Sequence, residues 1–274
     1  MGVIEAIKKG FAAASKNLTL VLVLFVFNAI WALGSIPLIN PVNLATPGAA
    51  TPTPISKTAL GFSFLFILIS IFMQGGSLGL VRDYLKAGSS KLGSFASYGL
   101  KYYLRLFALG LIIILIVLVA AIIATILIAA TTPLKQLAVT IIATIAAVVI
   151  GIAALYFIIL LLMSPYALVC DEAGIMGSLK SSIATVKKSF WKVTALLVLL
   201  ILISFGVGFV IGLVIGLITA AMPAKVGQAV IGLANSAFNG YLGVAMMAAF
   251  MVFYLGLVKK EPQTQAPSSS SPTI

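Results

Sequence analysis

Six long apolar runs alternate with short polar segments along the chain, and this pattern predicts six membrane-spanning helices. The runs cover about Leu18 to Ile39, Thr58 to Val81, Leu106 to Thr132, Leu137 to Met163, Val193 to Met222 and Val226 to Val258. Each reaches the roughly 20 residues that a helix needs to cross about 30 Å of hydrocarbon. No Asp, Glu, Lys, Arg or His falls inside these limits. Barrel strands would alternate apolar and polar positions, whereas these runs are apolar on every face. At 1.5 Å of rise per residue the third run extends roughly 40 Å, so tilt or protrusion into the headgroups is expected.

The segments between the runs carry a second pattern. From Gly174 to Lys192 the chain reads GIMGSLKSSIATVKKSFWK. At 100° per residue, Ile175, Leu179, Ile183, Val186 and Phe190 fall within an arc of about 80°, and Lys180, Lys187, Lys188 and Lys192 lie opposite. This is the signature of an amphipathic helix lying in the membrane interface, with Trp191 as its aromatic anchor. The N-terminal VIEAIKKGFAAASK is of the same kind, with Val3, Ile7, Phe11 and Ala14 on one side. Arg82 to Arg105 is similar, with Tyr84, Tyr98, Tyr102 and Tyr103 among basic residues. One such segment precedes each odd-numbered run, which suggests a surface helix plus a hairpin, about 87 residues, repeated three times.

The expected organisation is therefore an all-α membrane protein, with six transmembrane helices and cytoplasmic interfacial amphipathic helices. Residues 1–17 form an amphipathic helix, 18–258 the transmembrane domain, and 259–274 a disordered polar tail. The proline-rich loop from Asn40 to Lys57 is expected to be extended. Lys8, Lys9 and Lys16 followed by an apolar run and Ala32-Leu33-Gly34 could be a cleavable signal peptide. The run is longer than a signal core and the later spans alternate correctly with it retained, so an uncleaved first helix is expected.

Charge sets the orientation. Fourteen of the 17 basic residues fall on one side, and only Lys57, Lys135 and Lys225 on the other. The positive-inside rule then places both termini in the cytoplasm. All five acids lie on that same side. With no transit signal, a prokaryotic-type plasma membrane is the expected location.

Composition removes whole classes of chemistry. Hydrophobic residues make up 62% of the 274 and charged residues 8%, against about 25% charged in a soluble domain. There is no His, and Cys170 is the only cysteine. An internal disulfide, a Cys-rich zinc site and imidazole chemistry are excluded. Asp171-Glu172 is the only adjacent acidic pair, expected to salt-bridge Lys180, Lys187 and Lys188 rather than to catalyse. Enzymatic activity, bound metal and cofactor are not expected. With no ionisable residue inside the spans, coupling through a buried acid is disfavoured as well.

Two sets of residues are candidates for function. Gly232, Asn235, Ser236, Asn239 and Gly240 share one face of the sixth span, and Gly208, Gly212 and Gly216 recur every fourth position in the fifth. Small residues let helix backbones approach, so these faces are expected to pack spans five and six together, or else to line a polar path. Lys101, Arg105, Lys180, Lys187, Lys188 and Lys192 are candidate contacts to anionic lipid headgroups. Nucleic acid is a poor partner for charge spread along a membrane surface. A second copy or another membrane protein stays open as a partner. The expected role is lipid-interacting or membrane-organising, with a permease or channel for a small solute or lipid as the alternative.

Around Pro165 the chain reads MSPYALVCDEAGIMGSLKSSIATVKKSFWKVTALLVLL. A proline closing the fourth span, an acid, a glycine, an S-L-K-x-S helix, basic residues and a new span follow in order. This arrangement resembles the membrane domain attached to some bacterial glycerophosphodiester phosphodiesterases, over about residues 1–258. In those fusions catalysis belongs to a separate soluble domain. The resemblance implies a fold and lends no active-site residue.

Overall fold

Apolar periodicity is replaced at the first polar break by a tight turn, and α1 (Val3–Lys16) gives way to α2 (Leu18–Ser35) across the single residue Asn17. The Asn17 backbone leaves the helical region (φ −111°, ψ 47°), and its amide Nδ2 donates to the Ala13 carbonyl at 2.8 Å. The same carbonyl also takes the Asn17 backbone N–H at 3.0 Å, so both Asn17 donors close the end of α1. The computed structural model describes residues 2–36, 57–131 and 137–258, and every feature below refers to these. The proline-rich loop and the C-terminal tail lie outside them.

The remaining helices are α3 (Lys57–Ala87), α4 (Phe95–Thr131), α5 (Leu137–Leu161), α6 (Ser164–Cys170), α7 (Ile175–Lys188), α8 (Phe190–Thr219) and α9 (Ala224–Val258). Gly88, in the left-handed region at φ +73°, stops α3 and returns its N–H to the Tyr84 carbonyl at 2.8 Å. That is the usual glycine solution to ending a helix. Pro165 opens α6, where a missing N–H costs nothing. Six helices are long and apolar enough to cross a membrane, as the hydropathy pattern predicts.

The third amphipathic segment is a correction. Residues 82–105 do not form a separate surface helix: 82–87 continue α3, and 95–105 begin α4 after a short 3₁₀ turn at Leu92–Ser94. At 31 and 37 residues, these helices extend about 46 and 55 Å, well beyond the hydrocarbon thickness. Basic residues cut the hydropathy signal short while helix hydrogen bonding carries on through them. The threefold repeat loses its second surface helix in consequence.

Packing concentrates at one end. There, the stretch Gly75–Arg82 of α3 is buried without interruption, as are most of residues 242–254 of α9 and all of Ala167–Cys170. Ala6, Gly10, Ala13 and Ala14 of α1 dock against α9. A Cβ on Gly10 would lie 2.5 Å from the Ala245 carbonyl oxygen and 2.6 Å from the Ala249 Cβ. So α1 is anchored through a small-residue face rather than resting only on its apolar side chains. On α3, Gly76 faces the Phe95 ring and Gly79 lies hard against Tyr98 of α4, while Gly99 of α4 faces Phe72. A side chain at any of these three would strike an aromatic ring.

Towards the other end the helices offer large apolar side chains outward. Ile114, Ile142 and Leu217 are 60%, 67% and 71% exposed. Such a surface is far more apolar than a water-facing protein tolerates, and a lipid phase accounts for it. This is a multi-pass membrane architecture. Trp31 stacks on Phe62 at 4.1 Å, and Phe27 stacks on Phe66 at 5.5 Å, joining α2 to α3.

Candidate functional site

The basic segments that lie far apart in sequence meet at the well-packed end, and a buried arginine holds them together. Arg82 is 7% exposed. Its Nη1 donates to the Tyr102 hydroxyl at 2.9 Å, the Val169 carbonyl at 3.1 Å and Glu172 Oε1 at 3.0 Å. Nε and Nη2 reach Asp83 Oδ1 at 3.3 and 3.2 Å. Three chain segments thus share one guanidinium, whose fixed fork of donors suits this role better than an ammonium would. The Tyr98 ring lies 5.2 Å from the same group, and its hydroxyl donates to Asp83 Oδ2 at 2.6 Å. Burying a charge in this manner is tolerable because it is paired and hydrogen-bonded on every side.

Glu172 closes the cluster. Lys101 Nζ donates to its Oε1 at 2.9 Å, alongside Arg82. The hydrogen bond from Lys101, then the one from Arg82, hold the Glu172 carboxyl below the usual carboxylate range. The Glu172 backbone is left-handed at φ +51°, which costs a residue with a Cβ about 1–2 kcal/mol. Its two cationic partners fix it there. Asp171 has a different partner: it accepts from the Tyr254 hydroxyl at 2.5 Å, and Tyr254 in turn lies 3.0 Å from Ser181 Oγ. Since the tyrosine proton goes to the carboxylate, Ser181 is the donor in the second bond.

This pairing overturns the expectation for Asp171 and Glu172. Their partners are Arg82, Lys101 and Tyr254, not Lys180, Lys187 and Lys188. The lysines are nearer in sequence, but α7 turns their side away: Lys180, Lys187 and Lys188 are exposed while Ser178, Ser182 and Val186 are buried. Glu5, the remaining acid among the described residues, pairs with Lys9 at 2.8 Å.

The consequence is electrostatic. Twelve basic residues and four acids gather at this end among the described residues, and every acid is engaged within the protein. Of the candidate lipid contacts, Lys101 is tied to Glu172, and Arg105 is half-buried on α4. Lys180, Lys187, Lys188 and Lys192 are exposed along α7 and the start of α8, beside Trp191, itself 81% exposed. No group of three or more His, Cys, Asp or Glu side chains that could hold a metal occurs among the described residues.

The small-residue faces divide differently from expectation. Gly240 packs against α2, where a Cβ would lie 3.0 Å from the Phe25 nitrogen and 3.1 Å from the Val21 oxygen. Gly232 also faces α2, 3.2 Å from the Ala32 Cβ, and Ser236 is buried with its hydroxyl returned to the Gly232 carbonyl at 2.7 Å. Gly208 makes ordinary contact with Phe238 of α9, and a Cβ on Gly212 or Gly216 would meet nothing within 4 Å. The close approach is therefore between α9 and α2, and α8 takes little part in it. Bulky neighbours at the α8–α9 crossing, such as Phe238, hold those two backbones apart. Asn235 and Asn239, at the edge of the face that buries Ser236, are exposed, with no hydrogen-bond partner among the described residues.

Sequence reasoning missed the Arg82 cluster and the glycine–aromatic contacts of α3 and α4. A signal existed: Arg82 is one of only two arginines in a chain that otherwise uses lysine. The chain matches, over residues 1–257, the family model described as a domain of unknown function, DUF7847, and it belongs to that family. No curated protein and no solved structure matches it.

Proposed function

For this member of the DUF7847 family, we propose a non-enzymatic role in the lipid phase: it gathers and organises anionic lipids at one leaflet. The observation that carries this reading is the excess of eight cations at one end among the described residues, every described acid there being engaged internally. Exposed cations among them, such as Lys180, Lys187 and Lys192, are paired with no acid among the described residues. Each Lys or Arg near an anionic leaflet contributes about 1 kcal/mol, so the exposed Lys180, Lys187 and Lys192 on α7 and α8 favour acidic headgroups substantially. By the positive-inside rule that leaflet is the cytoplasmic one of a prokaryotic-type plasma membrane. The likeness to the membrane domain fused to glycerophosphodiester phosphodiesterases is consistent with a lipid setting.

Native mass spectrometry of protein extracted from mixed phosphatidylglycerol and phosphatidylcholine bilayers tests the reading. Phosphatidylglycerol should be retained preferentially, and the preference should fall in a Lys180→Gln, Lys187→Gln, Lys192→Gln variant. Equal retention of both lipids would refute it. The exposed amides of Asn235 and Asn239, unpartnered among the described residues, favour a second reading, a polar path along α9 for a small solute or lipid. Flux across liposomes containing only this protein, abolished by Asn235→Leu with Asn239→Leu, would support that path.

A further inference from the structure

A cavity of about 300 Å³ opens where the α1–α2 turn meets the loop after α3. Its wall is clasped shut by Ser90 Oγ donating to Asn17 Oδ1 at 2.9 Å, a contact across 73 residues of sequence. Lys16, Thr19, Tyr84 and Ser89 line it. None of these four side chains has a hydrogen-bond or ion-pair partner among the described residues, and no acid lines the cavity. The buried Leu20 and Leu80 and the exposed Leu92 add an apolar lining.

Ser89 also borders a second recess, of about 230 Å³, that holds Lys86 and Lys91. Asp83 lines that recess, but its two oxygens are taken by Arg82 and Tyr98. Helices α1 and α3 end beside the main cavity with their carbonyl ends towards it, a feature that would disfavour an anion. Those ends are capped from within: the Ala13 oxygen takes the Asn17 N–H and Nδ2, and the Tyr84 oxygen takes the Gly88 N–H. One lysine, three hydroxyls without partners among the described residues and three leucines thus line the main cavity, and Lys86 and Lys91 stand in the neighbouring recess across Ser89. Cations and hydroxyl donors together match a phosphate, and the leucines match the apolar atoms beside it.

We propose that this cavity binds a phosphate-bearing anion, with a lipid headgroup as its source and the leucines against the glycerol and first acyl carbons. The choice of a lipid over free phosphate rests on the function proposed above; the site itself rests on the cavity.

The test uses the full-length protein in neutral detergent, titrated by calorimetry with short-chain phosphatidic acid, short-chain phosphatidylcholine and inorganic phosphate. The expected result is one saturable site for phosphatidic acid, weakened at least tenfold by Lys16→Ala and by Ser89→Asp. Both positions are exposed, so the variants should fold, and Lys225→Ala, exposed at the start of α9 and outside both proposed sites, should bind as the wild type does. Displacement of phosphatidic acid by inorganic phosphate at similar concentration would keep the site and assign it to free phosphate. Absence of saturable binding by either phosphate probe, or wild-type affinity in both variants, would overturn the proposal. Preferential phosphatidylglycerol retention is measured on the same preparations. If retention persists while saturable binding is absent, only the cavity assignment falls. If binding persists without retention, only the leaflet-organising reading falls.

Discussion

Replacing Arg82 by leucine removes the one group that binds α3, α4 and the α6–α7 junction together. The loss can be estimated from its partners. The Tyr102 hydroxyl and the Val169 carbonyl are both on fully buried residues, and each would be left without its donor, at about 1–3 kcal/mol apiece. Asp83 and Glu172 would lose a counter-ion, but their side chains are 30% and 54% exposed. Asp83 would keep Tyr98, and Glu172 would keep Lys101. Their cost stays well below that of stranding a fully buried charge. A total of about 2–6 kcal/mol follows, and at about 2–4 °C per kcal/mol for a chain of this size the melting temperature should fall by about 4–24 °C. Arg82→Lys should fall between, because an ammonium cannot present the same fork to three segments at once. The assay is thermal unfolding in detergent, followed by size-exclusion recovery. If Arg82→Leu melts within about 2 °C of the wild type, the cluster does not hold this end together.

Gly240→Val should lower the recovered folded fraction severely, because its Cβ meets backbone atoms of α2 that cannot move aside; overpacking of this kind costs about 1–3 kcal/mol or more. Gly212→Leu should be recovered like the wild type, since that position faces open space. Acidification should destabilise the protein through Glu172. Its carboxyl is depressed in the folded state, so its stabilisation is present above the unfolded carboxyl pKa of about 4.3 and is lost as pH falls through the lower folded value. A Glu172→Gln variant should therefore show a smaller drop in melting temperature between pH 6 and pH 3. Gly79→Leu should disrupt the α3–α4 contact by displacing Tyr98, seen as loss of the monodisperse elution peak.

The six spans were legible because twenty apolar residues in a row have few other uses. The helix ends were not: Arg82 and Lys101 look like loop residues to a hydropathy measure, yet both sit inside long helices at the membrane boundary. Partner choice failed for a related reason. Asp171 and Glu172 lie within about 20 residues of four lysines, but a helix fixes which face those lysines take, and Arg82 arrives from 90 residues away. The glycines of the fifth and sixth spans show the same limit. Their spacing reveals that something can come close, as α2 does at Gly240, without revealing which helix it is. Excess positive charge was readable in full, because it is a sum over residues and does not depend on how they pair.

Lipid selectivity measured by electron spin resonance bears most directly on that charge. Spin-labelled phosphatidylglycerol and phosphatidylcholine would be compared at the protein surface, at low and high salt. The account predicts preferential immobilisation of phosphatidylglycerol, reduced by high salt and by Lys180→Gln, Lys187→Gln, Lys192→Gln. Equal immobilisation of the two lipids at low salt would contradict it.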